Sequence, residues 1–270
     1  MAKAFSRHTL GRAALLVGAL IGVLVTCGGG SARATPTVTF KALPVPIPGF
    51  PHTGYILGGG AALEAEYKIS GTEYGGFPPP LIGVNVYFPK GTTLHPQGFP
   101  TCAAMVLEQV GSRGCPKGSA AGPVGHAVGV VAFGGTRVEE TTTIESFYAP
   151  GGGIEFFTVG HSPATLEILT TGRYVTPSGG EGFGLELMSE IPLVSTVTGA
   201  PYAVVQTIQV KAGSARMAGG KPVYYGTIPK QCPPSGFFSI KTEVIFDKDG
   251  AYPPVPEPVT VAFKAPCPRK

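Results

Sequence analysis

From residue 36 onward the chain is a succession of short runs in which hydrophobic and polar residues alternate. Val38 and Phe40 alternate near the start; Leu63 and the Tyr67/Ile69 pair do so in AALEAEYKISG; Ile82, Val84, Val86 and Phe88 do so strictly in LIGVNVYF. A period of two places successive side chains on opposite faces of an extended backbone, so each run predicts a β-strand with one buried face. GHAVGVVAFGGTRVEETTTIESFY reads as a hairpin turning at Gly134 and Gly135. Its second arm sets Val138, Thr142 and Ile144 against Glu139, Thr141, Thr143 and Glu145. IEFFTVG, LEILTTGRYV and FGLELMSEIPLV continue a meander, YAVVQTIQVKAGSARMAGGKPVYYG reads as a hairpin turning at Gly219 and Gly220, and FFSIKTEVIFDKDG and PVTVAFKAPCP close the chain. About a dozen short strands separated by Gly/Pro turns, with no βαβ alternation, predict an all-β antiparallel β-sandwich. Residues 35–270 are expected to form it as one domain, or as two sub-domains meeting near residue 150. TVTFKALP near the start is similar to TVAFKAPCP near the end, which fits a small duplication or two edge strands of like composition.

One stretch breaks the pattern. In AAMVLEQVG, residues 103–111, Ala103, Val106, Leu107 and Val110 fall on one helical face, Thr101 stands at an N-cap position and Gly111 at the end. So short a helix does not hold by propensity, and Cys102 and Cys115 bracket it.

The N-terminus sets the compartment. Lys3, Arg7 and Arg12 precede the apolar run Ala13–Cys27, which is too short to span a bilayer, and an A-x-A site follows at Ala32 and Ala34. Residues 1–34 therefore predict a signal peptide cleaved after Ala34, and an extracellular or cell-surface location. A lipid anchor on Cys27 is the competing reading, although Thr26 is larger than the small residue that usually precedes such a cysteine. The first 34 residues hold four basic residues and no acid, so 16 basic and 16 acidic residues remain. A neutral remainder gives no electrostatic reason to bind nucleic acid. It also holds no further stretch long and apolar enough for a transmembrane helix.

Four cysteines remain after residue 34: Cys102, Cys115, Cys232 and Cys267. An even number in an exported chain points to disulfides, with three possible connectivities. Nearest neighbours give Cys102–Cys115 and Cys232–Cys267, worth roughly 3 and 4 kcal/mol in the chain-entropy treatment. With no C-x-x-C pair and no histidine at ligand spacing, neither a metal nor a cofactor is expected.

Catalytic patterns are incomplete. GHSPA, residues 160–164, approaches a nucleophile elbow at Ser162, but no histidine follows it and its setting is strand–turn–strand. Glu139, Glu140, Glu145 and Glu155 lie on strands and read as solvent-facing. DKDG at 247–250 reads as a hairpin corner rather than a calcium loop. Carbohydrate binding would need stacking platforms. The chain has no Trp, leaving Tyr224 with Tyr225, or Tyr55, Tyr67 and Tyr74. The loops TEYGGFPPP and GGGIEFFTVGHS are the places to look for a site, with Tyr74, Phe77, His161 and Ser162 as candidate ligand residues.

The segments GVNVYFPKGTTLHPQGFPTC, GCPKGSAAGPVG, SFYAPGGG, GHSPATLEIL, YYGTIPKQCPPSGFF and the terminal APCP resemble those of a group of uncharacterised exported proteins of high-GC Gram-positive bacteria. The resemblance spans nearly all of the chain after residue 34 and implies no activity or catalytic residues. The expectation is an exported envelope or extracellular structural or binding protein without enzymatic activity, whose partner is an envelope component or glycan. A secreted hydrolase using Glu with Ser or Tyr is the runner-up.

Overall fold

The computed structural model describes residues 35–268 except 55, 134, 163, 164, 179–181, 249 and 251; the leader, Cys27, Tyr55 and Asp249 lie outside the described residues. Residues 34–270 form one compact unit. Its strands are β1 (Thr37–Val45), β2 (Ala62–Ser70), β3 (Leu81–Pro89), β4 (Thr93–Leu94), β5 (Gly125–Phe133), β6 (Thr136–Tyr148), β7 (Ile154–Gly160), β8 (Leu166–Val175), β9 (Phe183–Glu190), β10 (Val204–Ala212), β11 (Ala215–Ala218), β12 (Lys221–Tyr224), β13 (Gly226–Thr227), β14 (Phe237–Asp247) and β15 (Pro256–Pro266). Among the described residues there are also one α-helix, α1 (Ala104–Val110), and a 3-10 turn at Ser112–Gly114 that follows it.

The all-β antiparallel architecture is as the alternation predicts. Eleven strands make a single sheet in the order β1-β2-β10-β5-β6-β7-β8-β9-β3-β14-β15, every neighbouring pair antiparallel. The two similar segments, in β1 and β15, are its edge strands, and these lie against each other, so the sheet curls round until its two halves face across one interior. The expected β5–β6 turn and the β6–β9 meander are present. Gly219 and Gly220 do turn a hairpin, but only the short β11–β12 one. Beyond it β10 leaves to enter the main sheet between β2 and β5.

Between bulges, register carries one parity of residues inward along each strand. Phe40 pairs with Tyr67, Tyr67 with Ile208, Ile208 with Ala127 and Ala127 with Thr142; on the other half Ser189 pairs with Val84 and Val84 with Val244. The opposite parity carries Thr39, Lys41, Glu66 and Lys68 outward. Apolar inside and charged outside is the reverse of a membrane barrel. A bulge between Ile245 and Phe246 shifts the register by one, so Leu81, not Ile82, joins Val84, Val86 and Phe88 on the inner face.

The stapled segment lies on the outer face of β6–β8. Cys102 and Leu107 are fully buried there against Phe147 and Phe157, and both disulfides join the sequence-nearest partners. Thr101 does not cap the helix: Ala103 occupies the N-cap in extended conformation, with no side-chain bond. Gly111 ends it with φ 70° while its N–H donates to Leu107 O at 3.0 Å. Val110 is 59 % exposed, because seven residues present only Leu107 and part of Val106 to the sheet.

Candidate functional site

Call the end at which β1 finishes, at Val45, the upper end. The lower end is filled: Val38, Ile69, Leu81 and Phe246 are buried together, below the fully buried Val244. The connection 71–80 crosses this end and buries Pro78 and Pro80.

Higher up, the inward rows hold small side chains, among them Ala65, Ala127, Thr158, Thr170, Ser189 and Ala212, and they do not meet across the interior. A cavity of about 260 Å³ remains. Its presence shows in the inward residues Val84, Phe88, Phe156, Ile168, Ile208 and Val210, which point at the core yet are only half-buried because part of their surface faces the cavity. The lining runs from Leu81 and Ile191 below to Pro44, Leu94, Thr227 and Pro229 at the upper end, and among the described residues it includes no Asp, Glu, Lys, Arg or His. Such walls offer water few hydrogen-bond partners, and an apolar space of this size suits apolar matter or stays dry.

Three connections weave over the upper end. β4 pairs with β13; Ala61 N–H donates to Gly226 O at 3.2 Å, Ile228 N–H to Gly59 O at 3.0 Å, and His95 N–H to Tyr225 O at 2.7 Å. Gly60 lies so close beneath Tyr224 that a Cβ there would come within 2.1 Å of the ring. Beneath this weave the tyrosines gather. Tyr148 and Tyr225 stack with centroids 3.7 Å apart, Phe99 meets both edge-on, and Tyr174 packs near Phe88. The Tyr148 hydroxyl shares a 2.9 Å hydrogen bond with Ser214 Oγ, and the Tyr225 hydroxyl donates to Gly152 O at 2.9 Å. Burial pushes the Tyr225 phenol up to about 12. It raises Tyr67, Tyr148 and Tyr174 further, and Tyr174 feels its two tyrosine neighbours as well.

The four candidate ligand residues all lie at the lower end. Tyr74 and Phe77 meet at Arg137, whose guanidinium sits 4.6 Å over the Tyr74 ring and 5.2 Å from Phe77 and donates to Tyr74 O at 2.7 Å. The Tyr74 hydroxyl accepts from Tyr202 N–H at 3.0 Å. These contacts brace the 71–80 connection. His161 and Ser162 occupy the exposed β7–β8 turn, where Ser162 donates its backbone N–H, not its hydroxyl, to Glu140 Oε1 at 3.1 Å.

Glu140 and Glu155 are buried rather than solvent-facing: Glu140 is on the inward row, and Glu155 lies outward under the stapled segment, accepting from Thr171 Oγ1 at 2.7 Å. Burial raises the Glu155 carboxyl, the Thr171 bond lowers it and Glu108 raises it again. The 247–250 stretch is no tight corner. β14 and β15 are joined by residues 248–255, with Asp247 Oδ1 accepting from Val255 N–H at 2.9 Å. Tyr67 and Tyr225 are buried, so neither is a surface stacking platform. Among the described residues no three His, Cys, Asp or Glu gather as a metal-binding group, and no helix is long and apolar enough to cross a membrane.

Comparison with protein-family models, curated proteins and solved structures gave no match. The cavity is the feature of the described residues that bears on function. Its residues were missed in the sequence because alternation reveals which side chains face inward but not whether opposite walls touch.

Proposed function

We infer that the protein is an exported, non-enzymatic binding protein that holds a small apolar ligand inside its curled sheet. The observation that carries this reading is the apolar cavity of about 260 Å³, walled by inward side chains that remain half-buried. Burial of a ligand against such walls would be driven by the roughly 25 cal/mol gained per Å² of apolar surface removed from water. The pattern of residues 1–34 and the resemblance to exported proteins support release from the cell with cleavage after Ala34. The two disulfides are compatible with an oxidising compartment. Mass spectrometry of the exported chain checks this: an N-terminus at Thr35 is expected, and an acylated Cys27 would replace cleavage after Ala34 by lipid anchoring.

Binding is tested on residues 35–270 with N-phenyl-1-naphthylamine, an uncharged fluorophore that brightens in apolar surroundings. Saturable enhancement at one site is expected, with loss of at least about tenfold in affinity in Ala127→Phe, which fills the cavity from β5. Absence of saturable binding, or binding unchanged in a folded Ala127→Phe, overturns the reading.

A further inference from the structure

Resting on the cavity as a ligand site, the tyrosines at its upper end indicate what kind of ligand it takes. Tyr148, Tyr174 and Tyr225 all line it. The first two hydroxyls to consider are committed, Tyr148 to Ser214 and Tyr225 to the Gly152 carbonyl. Tyr174 differs. It lies on β8 in register with Leu187, its ring packs near Phe88, and among the described residues its hydroxyl has no hydrogen-bond partner. A phenol embedded among apolar side chains normally finds a partner, since an unsatisfied buried hydroxyl has lost its hydration without replacement. Its ring is only half-buried because part of its surface opens onto the cavity.

Charge narrows the class further. With no cationic side chain in the described lining, a carboxylate or phosphate in the cavity would lose its hydration without gaining a counter-charge. Tyr174 itself stays protonated at neutral pH, because burial and the neighbouring tyrosines raise its phenol, so it offers a neutral O–H donor. The remaining free space is bounded mostly by aliphatic and aromatic groups, with Thr92 and Thr227 at the upper rim, the Thr227 hydroxyl already bonded to Thr93 Oγ1 at 2.6 Å, and the Thr158, Thr170 and Ser189 hydroxyls lower on the β7–β9 wall.

We propose that the cavity selects an uncharged, largely apolar molecule bearing an oxygen acceptor such as an alcohol or ketone, and that the Tyr174 hydroxyl donates the hydrogen bond that anchors that oxygen at the upper end. The test displaces N-phenyl-1-naphthylamine with chains matched in length: 1-decanol, 2-decanone and decanoate at pH 7. The alcohol and ketone are expected to displace it at least about tenfold more effectively than the carboxylate. Tyr174→Phe should weaken the alcohol and ketone by about tenfold relative to the fluorophore, the worth of one hydrogen bond in a dry site. Tyr225→Phe, whose hydroxyl serves Gly152, should leave the alcohol-to-carboxylate preference intact, and thermal melts establish that both variants are folded. Equal displacement by decanoate, or an unaltered alcohol affinity in folded Tyr174→Phe, overturns the proposal while leaving the cavity as a binding site. Failure of the fluorophore to bind the unsubstituted protein removes both.

Discussion

The two ends of the curled sheet are built from the same strands and the same alternation, yet they are held by different means. At the lower end Val38, Ile69, Leu81 and Phe246 fill the interior. Toward the upper end a cavity remains beneath the woven connections and the stacked tyrosines, and both disulfides lie there: Cys102–Cys115 pins the stapled segment outside β6–β8, and Cys232–Cys267 ties the start of β14 to the end of β15. Where side chains meet across the core, packing supplies the stability; where they stand apart, cross-links and woven connections hold the walls. A cavity removes core, and in this fold both covalent cross-links lie around the gap.

The largest effect should come from emptying the filled end. Phe246→Ala is expected to cost about 3–5 kcal/mol in urea unfolding. Phe88→Ala, on a wall that already faces open space, should cost clearly less because fewer contacts are lost. Equal losses would break the contrast between the ends. Next in size are the cross-links. Replacing Cys102 and Cys115 by Ser should lower stability by about 3 kcal/mol, and replacing Cys232 and Cys267 by about 4 kcal/mol. Melting temperatures unchanged in either pair would remove the staples from this account.

A third pair of variants should differ in sign. Val38→Phe overfills the lower end and is expected to destabilise by about 1–3 kcal/mol. Ala127→Phe adds a ring to empty space and should leave the melting temperature level or raised. Two losses would mean that the upper half has no room to fill.

The smallest effect is titration. Tyr67, Tyr148, Tyr174 and Tyr225 have phenols raised by burial. A raised phenol stays protonated in the folded chain while its unfolded counterpart ionises near 10, so its stabilising effect is complete below that pH and declines as pH rises above it. Absorbance at 295 nm in the native protein at pH 11 should therefore reveal fewer tyrosinates than after unfolding at the same pH. Full native ionisation would refute the burial. Glu155 follows the same logic: its carboxyl is raised, chiefly by burial, so stability should fall as pH climbs through its titration, and Glu155→Gln should flatten that slope.

Much of this architecture was readable from the residues. Alternation in LIGVNVYF and TRVEETTTIESFY located β3 and β6, glycine pairs located turns, and cysteine spacing anticipated both disulfide partners. The failures have physical causes. Ile82 broke parity because it is the extra residue of a bulge in β3 itself, where Ile245 pairs with Gly83 and the next residue of β14, Phe246, pairs with Leu81. Glu155 looked solvent-facing because its cover, the stapled segment, arrives from about fifty residues upstream. Placement of β10 between β2 and β5, and of β3 between β9 and β14, depends on pairings over long separations that no local pattern records.

By itself, then, the sequence determined the local facts: which stretches extend, which face of each is apolar, where turns and cross-links fall. These depend on backbone sterics and on neighbours one or two residues away. The tertiary structure alone decided that β1 and β15 come together, that Ala65, Ala212 and Ala127 on the neighbouring strands β2, β10 and β5 stand side by side on one wall of a gap, and that Tyr174 opens onto that gap with no hydrogen-bond partner among the described residues. A cavity is the distance between walls that the chain brings face to face from residues far apart, and no period along the chain encodes that distance.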